Sequence, residues 1–85
     1  MSSALLPLTL FYDGACPLCQ AEIIYLGSRN QQGLLHFVDI NGPEYDPIKV
    51  GVSCEQALAR MYGQIEGQEA IHGVPVFAEA YRRAN

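Results

Sequence analysis

Cys16 and Cys19, in the stretch FYDGACPLCQAEI at residues 11–23, are two thiols separated by two residues and placed just after an Asp-Gly turn. Thiols at that spacing can close a disulfide, give two thiolates to a soft metal, or pack as small apolar side chains. The surrounding residues favour the first. The local pattern opens a helix at Cys16, where unpaired backbone N–H groups and the positive end of the helix dipole stabilise a thiolate. A free cysteine titrates near pH 8.5, whereas the first cysteine of a helix-opening CxxC can fall to roughly 3.5–7.5. Cys16 is therefore the expected nucleophile. Cys19, one turn further in, is the expected resolving thiol. Pro17 suits the first helical position, because its fixed φ is already helical and the N–H it lacks would be unpaired there.

Asp13 completes the candidate catalytic set, although a carboxylate beside Cys16 opposes the dipole. Two roles are open to it: a turn in which its side chain accepts a backbone N–H near Gly14 to Cys16, or a proton acceptor for Cys19 during exchange. Gly14 supports the site through the turn itself, and Tyr12 as a residue able to line its edge. Phe11 reads as packing.

These side chains need a strand before them and a helix beneath them. LTLFY, residues 8–12, is a short apolar run bounded by Pro7 and Asp13-Gly14, and reads as a buried, central strand. Residues 17 to about 29 read as a helix: at about 100° per residue, Cys16, Cys19, Ile23 and Leu26 share one stripe. Gly33 closes the unit, and LLHFVDI, residues 34–40, is a second strand. The resulting β-α-β unit puts both strands parallel in one sheet. Residues 41–52, dense in Gly, Pro and Asn, read as a loop.

Ser53 with Gln56 has the spacing of a capping box, starting a short helix with Cys54, Ala57, Leu58 and Met61 on one face. Residues 59–73 read as a hairpin around Glu66-Gly67, and residues 74–83 as a terminal helix with Val74, Phe77, Ala78 and Tyr81 on its apolar arc and Pro75 in its first turn. The order is β-α-β-α-β-β-α, an α/β domain spanning residues 1–85 with a mixed sheet of about four strands. YRRAN ends the sequence before any helix stop signal, so the native chain is expected to run further.

This layout resembles the thioredoxin- and glutaredoxin-like folds, in which a CPxC lies between a strand and a helix. YDGACPLC in particular resembles the signature of the DCC family of thiol-disulfide oxidoreductases, named for an Asp-x-x-Cys-x-x-Cys motif, here Asp13, Cys16 and Cys19. An aromatic before the Asp, here Tyr12, also fits. The resemblance implies the thioredoxin-like fold and redox activity. Thioredoxin-like enzymes usually carry a cis-proline opposite the CxxC, before the third strand of the fold. Pro75 in GVPVF is instead expected to start the last helix, leaving substrate docking to another loop such as residues 41–52.

Composition excludes other classes. Hydrophobic residues make up 49% of the chain and charged residues 16%, against roughly 25% charged in an average soluble protein, which suits a packed core and not a disordered segment. A net charge of −4 with one lysine, Lys49, offers no basic stripe for nucleic acid or anionic membranes. No segment approaches the roughly 20 apolar residues of a membrane span, and MSSALLPLTLF lacks the basic start of a signal peptide. A cytoplasmic location is expected, where a close cysteine pair is more often catalytic or metal-binding than structural. The expected partner is a protein disulfide or a small thiol such as glutathione.

The rival reading is a metal-binding module for a soft metal or zinc. Copper chaperones usually carry Met two residues before the first cysteine, where this chain has Gly14, and lack a proline inside the pair. Structural zinc wants four ligands, and only one CxxC is present, although Cys54 with one His could complete the set. CPLCQ lacks the His that haem attachment requires. Cys54 is expected to be a buried free thiol, and His36 and His72 ordinary polar positions, so neither metal nor cofactor is expected.

Overall fold

The strand β1 (Leu8–Tyr12) lies at the centre of a mixed sheet in the order β2-β1-β3-β4. The computed structural model describes residues 5–59 and 61–84, excepting the side chains of Cys54, Leu58 and Ala59. From β1 the chain enters α1 (Pro17–Gly27) and returns as β2 (Leu35–Asp39), parallel to β1 with Tyr12 beside Asp39. Next come two short helices, α2 (Pro47–Val50) and α3 (Cys54–Ala59). The hairpin of β3 (Tyr62–Ile65) and β4 (Ile71–His72) follows, and α4 (Val74–Arg83) ends the domain. β3 is antiparallel to both β1 and β4. This is the expected α/β order and four-stranded sheet, with α2 as an addition inside the stretch read as a loop.

Local chemistry explains the elements. Ser53 and Gln56 form the capping box: Gln56 N–H donates to Ser53 Oγ at 3.1 Å, and Ser53 N–H to Gln56 Oε1 at 3.0 Å. Asp46 caps α2 in the same manner, accepting from Ile48 N–H at 3.0 Å, with Pro47 at its start and Gly51 in the left-handed conformation at its end. Four residues make that helix too short for a periodic pattern to show. α1 stops at Gly27, with Ser28 as its cap, two residues before the expected end.

Side-chain alternation along β1 divides the interior into two clusters. Leu8 and Leu10 face α1 and α4 and pack with Leu26, Leu35, Val76 and Ala80. Phe11, on the opposite face, packs with Ile40, Tyr45, Val52 and Ala57 under the α2–α3 segment. Tyr45 meets Phe11 edge-on at 5.5 Å and donates its hydroxyl to the Val52 carbonyl at 2.6 Å. Ala57 is buried as the face of α3 requires, whereas the packing expected of Cys54 and Leu58 lies outside the described residues.

The face of α4 is not the expected one. Val76, Ala80 and Arg83 are buried, while Val74 and Tyr81 are exposed and Phe77 is half-buried. The cause is Gly63 on β3, where a Cβ would stand 3.0 Å from Val76 Cγ1. The bare backbone there, with the small Ala80, draws this side of the helix against the sheet. Pro75 starts the helix as expected.

Candidate active site

Strand direction gathers the site at one end of the sheet. The parallel pairing of β1 and β2 brings their C-terminal ends, Tyr12 and Asp39, side by side. The antiparallel pairing of β3 places its first residue, Tyr62, beside Phe11 and opposite His72. Met61 before β3 and the first turn of α4 therefore reach the end of the sheet from which the Cys16 loop departs.

On that loop Cys16 is the N-cap of α1, with extended backbone, and its sulphur accepts the N–H of Cys19 at 3.4 Å. Sulphur thus takes the place usually held by a Ser, Thr, Asp or Asn oxygen. Pro17 follows in the first turn, as predicted. Hydrogen bonding by the Cys19 thiol and then by its backbone N–H draws the Cys16 pKa below its ordinary value, against opposing effects of burial and, least, of Asp13. Cys19 moves the other way. Burial first, and then its bond to Cys16, push its thiol up. The pair therefore offers one thiol inclined to ionise and one inclined to keep its proton.

The preceding turn is fixed twice. Asp13 Oδ1 accepts the Ala15 N–H at 3.0 Å, and the Asp13 carbonyl accepts the Cys16 N–H at 3.0 Å. This geometry is that of the turn-forming role weighed for Asp13. Gly14 donates its N–H to Asp39 Oδ1 at 3.1 Å, and its carbonyl accepts the side-chain amide of Gln20. Tyr12 ends β1 half-buried, its carbonyl bound by Ile40 N–H at 2.9 Å.

A family model described as DCC1-like thiol-disulfide oxidoreductase matches residues 10–85. The chain belongs to that family. At 31% identity over 74 residues, it is also similar to the uncharacterized chloroplastic protein At5g50100 of Arabidopsis thaliana; the match covers 85% of this chain and 35% of that one. The chain thus spans about a third of the length of that relative. No solved structure matches it.

Three polar residues around the Cys16 loop are not singled out by the sequence: Gln20, Asp39 and Asn41. Asp39 Oδ1 also accepts the Asn41 N–H at 2.9 Å, and the Asn41 side chain donates to Asp13 Oδ1 at 2.8 Å. The Asn41 and Gly14 N–H groups hold the Asp39 carboxyl below its ordinary pKa. Only the local half of this was legible, because Asp39 and Asn41 have the two-residue spacing of an Asx turn.

Beside Cys19 opens a cleft of about 450 Å³, lined by Leu18, Cys19, Ala21, Glu22, Met61 and Phe77. Residues 41–52 contribute nothing to its lining. Across α1 and α4, Tyr81 donates its hydroxyl to Glu22 at 3.0 Å. His36 is exposed on β2, and His72 packs its ring against Tyr62 at 5.2 Å. Among the described residues no three His, Cys, Asp or Glu side chains are grouped to hold a metal, and no helix is long and apolar enough to cross a membrane.

Proposed function

We propose that the domain, residues 1–85, exchanges dithiol for disulfide with Cys16 attacking and Cys19 resolving. The observation that carries this reading is the Cys19 N–H directed at the Cys16 sulphur at the start of α1, a geometry that favours the thiolate at Cys16. Cys16 thiolate attacks one sulphur of a substrate disulfide; a Cys16–substrate S–S bond forms, the substrate S–S bond breaks, and the second substrate sulphur leaves as thiolate. Cys19 then loses its proton and attacks Cys16 Sγ. The mixed disulfide breaks, the substrate leaves as a dithiol, and the protein holds the Cys16–Cys19 disulfide. Two electrons have passed to the substrate, and the reverse sequence oxidises a dithiol.

Asp13 stands within electrostatic reach of both thiols and is proposed to take the Cys19 proton, with Tyr12, Gly14 and Pro17 shaping the turn. The partner is a protein disulfide or a small thiol such as glutathione. The apolar cleft beside Cys19 supports a substrate with an apolar side chain next to its half-cystine, docking there and not on residues 41–52. The cytoplasm is the proposed location, since a reducing compartment keeps an exchange pair in its dithiol form.

Cys19→Ser tests the reading. Incubated with a disulfide substrate, it should accumulate a mixed disulfide through Cys16, while Cys16→Ser traps little. Trapping through Cys19 alone would reverse the roles, and stoichiometric zinc binding without disulfide closure would favour a metal module.

A further inference from the structure

The bonds that join Asp13 to the end of β2 go beyond making a turn. Asp13 Oδ1 is held from two directions: by its own loop through the Ala15 N–H at 3.0 Å, and from the β2–α2 connection through Asn41 Nδ2 at 2.8 Å. Asn41 is in turn anchored by its backbone, its N–H bound to Asp39 Oδ1 at 2.9 Å. The same oxygen takes the Gly14 N–H at 3.1 Å. One carboxylate thus fixes both the loop that carries Asp13 and the residue that grips the Asp13 side chain.

Two groups able to carry negative charge lie near the N-terminus of α1. One is the Cys16 sulphur, which already accepts the Cys19 N–H. The other is Asp13, three residues before the cap, whose carboxylate charge acts on the sulphur through space. Without the Asn41 amide, only the Ala15 N–H of its own loop holds the Asp13 side chain, which is then freer to swing its charge towards the sulphur, and a like charge disfavours the thiolate. Among the described residues the titratable groups acting on Cys16 are Cys19 on α1 and Asp13 on the loop. Asp39 spends its charge on Gly14 and Asn41, and Glu22, one turn beyond Cys19, is bonded to Tyr81 of α4.

We propose that Asn41 is a positioning residue for the exchange: clamped on Asp39, it tethers the Asp13 carboxylate and so sets how near a like charge stands to the Cys16 sulphur. This rests on Cys16 being the attacking thiol. Asn41 touches neither sulphur nor substrate in this scheme and acts only through Asp13.

The test is the pH profile of Cys16 alkylation by iodoacetamide, resolved by peptide mass so that each cysteine is followed separately in the full chain. Asn41→Ala should move the Cys16 midpoint up by about half a pH unit, which is about threefold slower alkylation below the midpoint. The same substitution made in an Asp13→Asn background should move it no further, since the charge that Asn41 restrains is gone. Circular dichroism verifies that each variant is folded, and Asn41→Ser, which also cannot span to Asp13, replaces Asn41→Ala should the latter not fold. An unmoved midpoint in folded Asn41→Ala, or an equal shift in the Asp13→Asn background, overturns the proposal while leaving the Cys16 nucleophile intact. A wild-type Cys16 that titrates like a free cysteine overturns both.

Discussion

Gly14 gives its backbone N–H to Asp39 so closely that a Cβ at position 14 would stand 2.6 Å from the Asp39 Cγ. The residues are 25 apart in sequence and meet because β1 and β2 run parallel in a register that pairs Tyr12 with Asp39. The missing Cβ at position 14 thus leaves room for a carboxylate to reach the backbone. The carboxylate in turn fixes the turn from which Cys16 enters the helix.

Gly14→Ala should therefore destabilise the domain by about 0.5–1.5 kcal/mol, the net worth of the hydrogen bonds lost as the Asp39 carboxylate is pushed aside. Asp39→Ala removes the colliding group, so in the double variant the alanine at 14 should cost less than it does alone, at the expense of the lost Gly14 and Asn41 hydrogen bonds. Urea unfolding of the four proteins measures the coupling. Strict additivity would show that the two sites do not meet.

Arg83 calls for a second prediction. It is 2% exposed, and its guanidinium donates to the Leu6 carbonyl, the Glu79 carbonyl and Glu79 Oε1, each at 2.8 Å. It closes the end of α4 over the chain entering β1. Arg83→Ala takes a donor from the Leu6 carbonyl and from Glu79, which keeps Arg82, and empties the buried space of the side chain. The expected loss is about 2–4 kcal/mol, a large share of the 5–15 kcal/mol that holds a typical domain. Arg82 is 59% exposed and meets Glu79 at 3.2 Å, so Arg82→Ala should stay within about 0.5 kcal/mol of wild type. Thermal unfolding at matched pH distinguishes the pair, and equal losses would contradict the assignment of Arg83 to the interior.

What the sequence revealed and what it hid follow from the range of each interaction. The β1 run, the Cys16–Pro17 helix start, the Ser53–Gln56 box and the Glu66-Gly67 turn are local, and each appears where the pattern puts it. Asp39, Asn41 and Gln20 matter through what they meet across the fold, and no spacing rule names those partners. The buried face of α4 departs from its apolar pattern for a related reason. Val74, Phe77, Ala78 and Tyr81 form the more apolar arc, but the helix is seated by Gly63, on a different strand, against Val76. Arg83 then enters the interior because its stem is apolar and acceptors for its head lie within reach. The displaced arc is not idle: Phe77 lines the cleft beside Cys19, and Tyr81 reaches Glu22 on α1.

The last prediction concerns the order in which the two thiols ionise. The Cys16 pKa is drawn down by the Cys19 thiol and backbone N–H, while the Cys19 pKa is pushed up first by burial and then by Cys16. As pH rises, Cys16 should become reactive to iodoacetamide below the ~8.5 of a free cysteine, and Cys19 only above it. Between the two midpoints nearly all label should lie on Cys16. Replacing each partner separates the causes. In Cys19→Ala the thiol donor is lost, although the helix N-terminus remains, so the Cys16 midpoint should rise without reaching the free value. In Cys16→Ser the second cause of the upward shift is removed but burial stays, so the Cys19 midpoint should fall and yet remain above that of an exposed thiol. Equal midpoints in the wild type would show that the Cys19 N–H does not favour a thiolate at Cys16. A Cys19 midpoint in Cys16→Ser at the free value would show that its partner, and not burial, was holding it up.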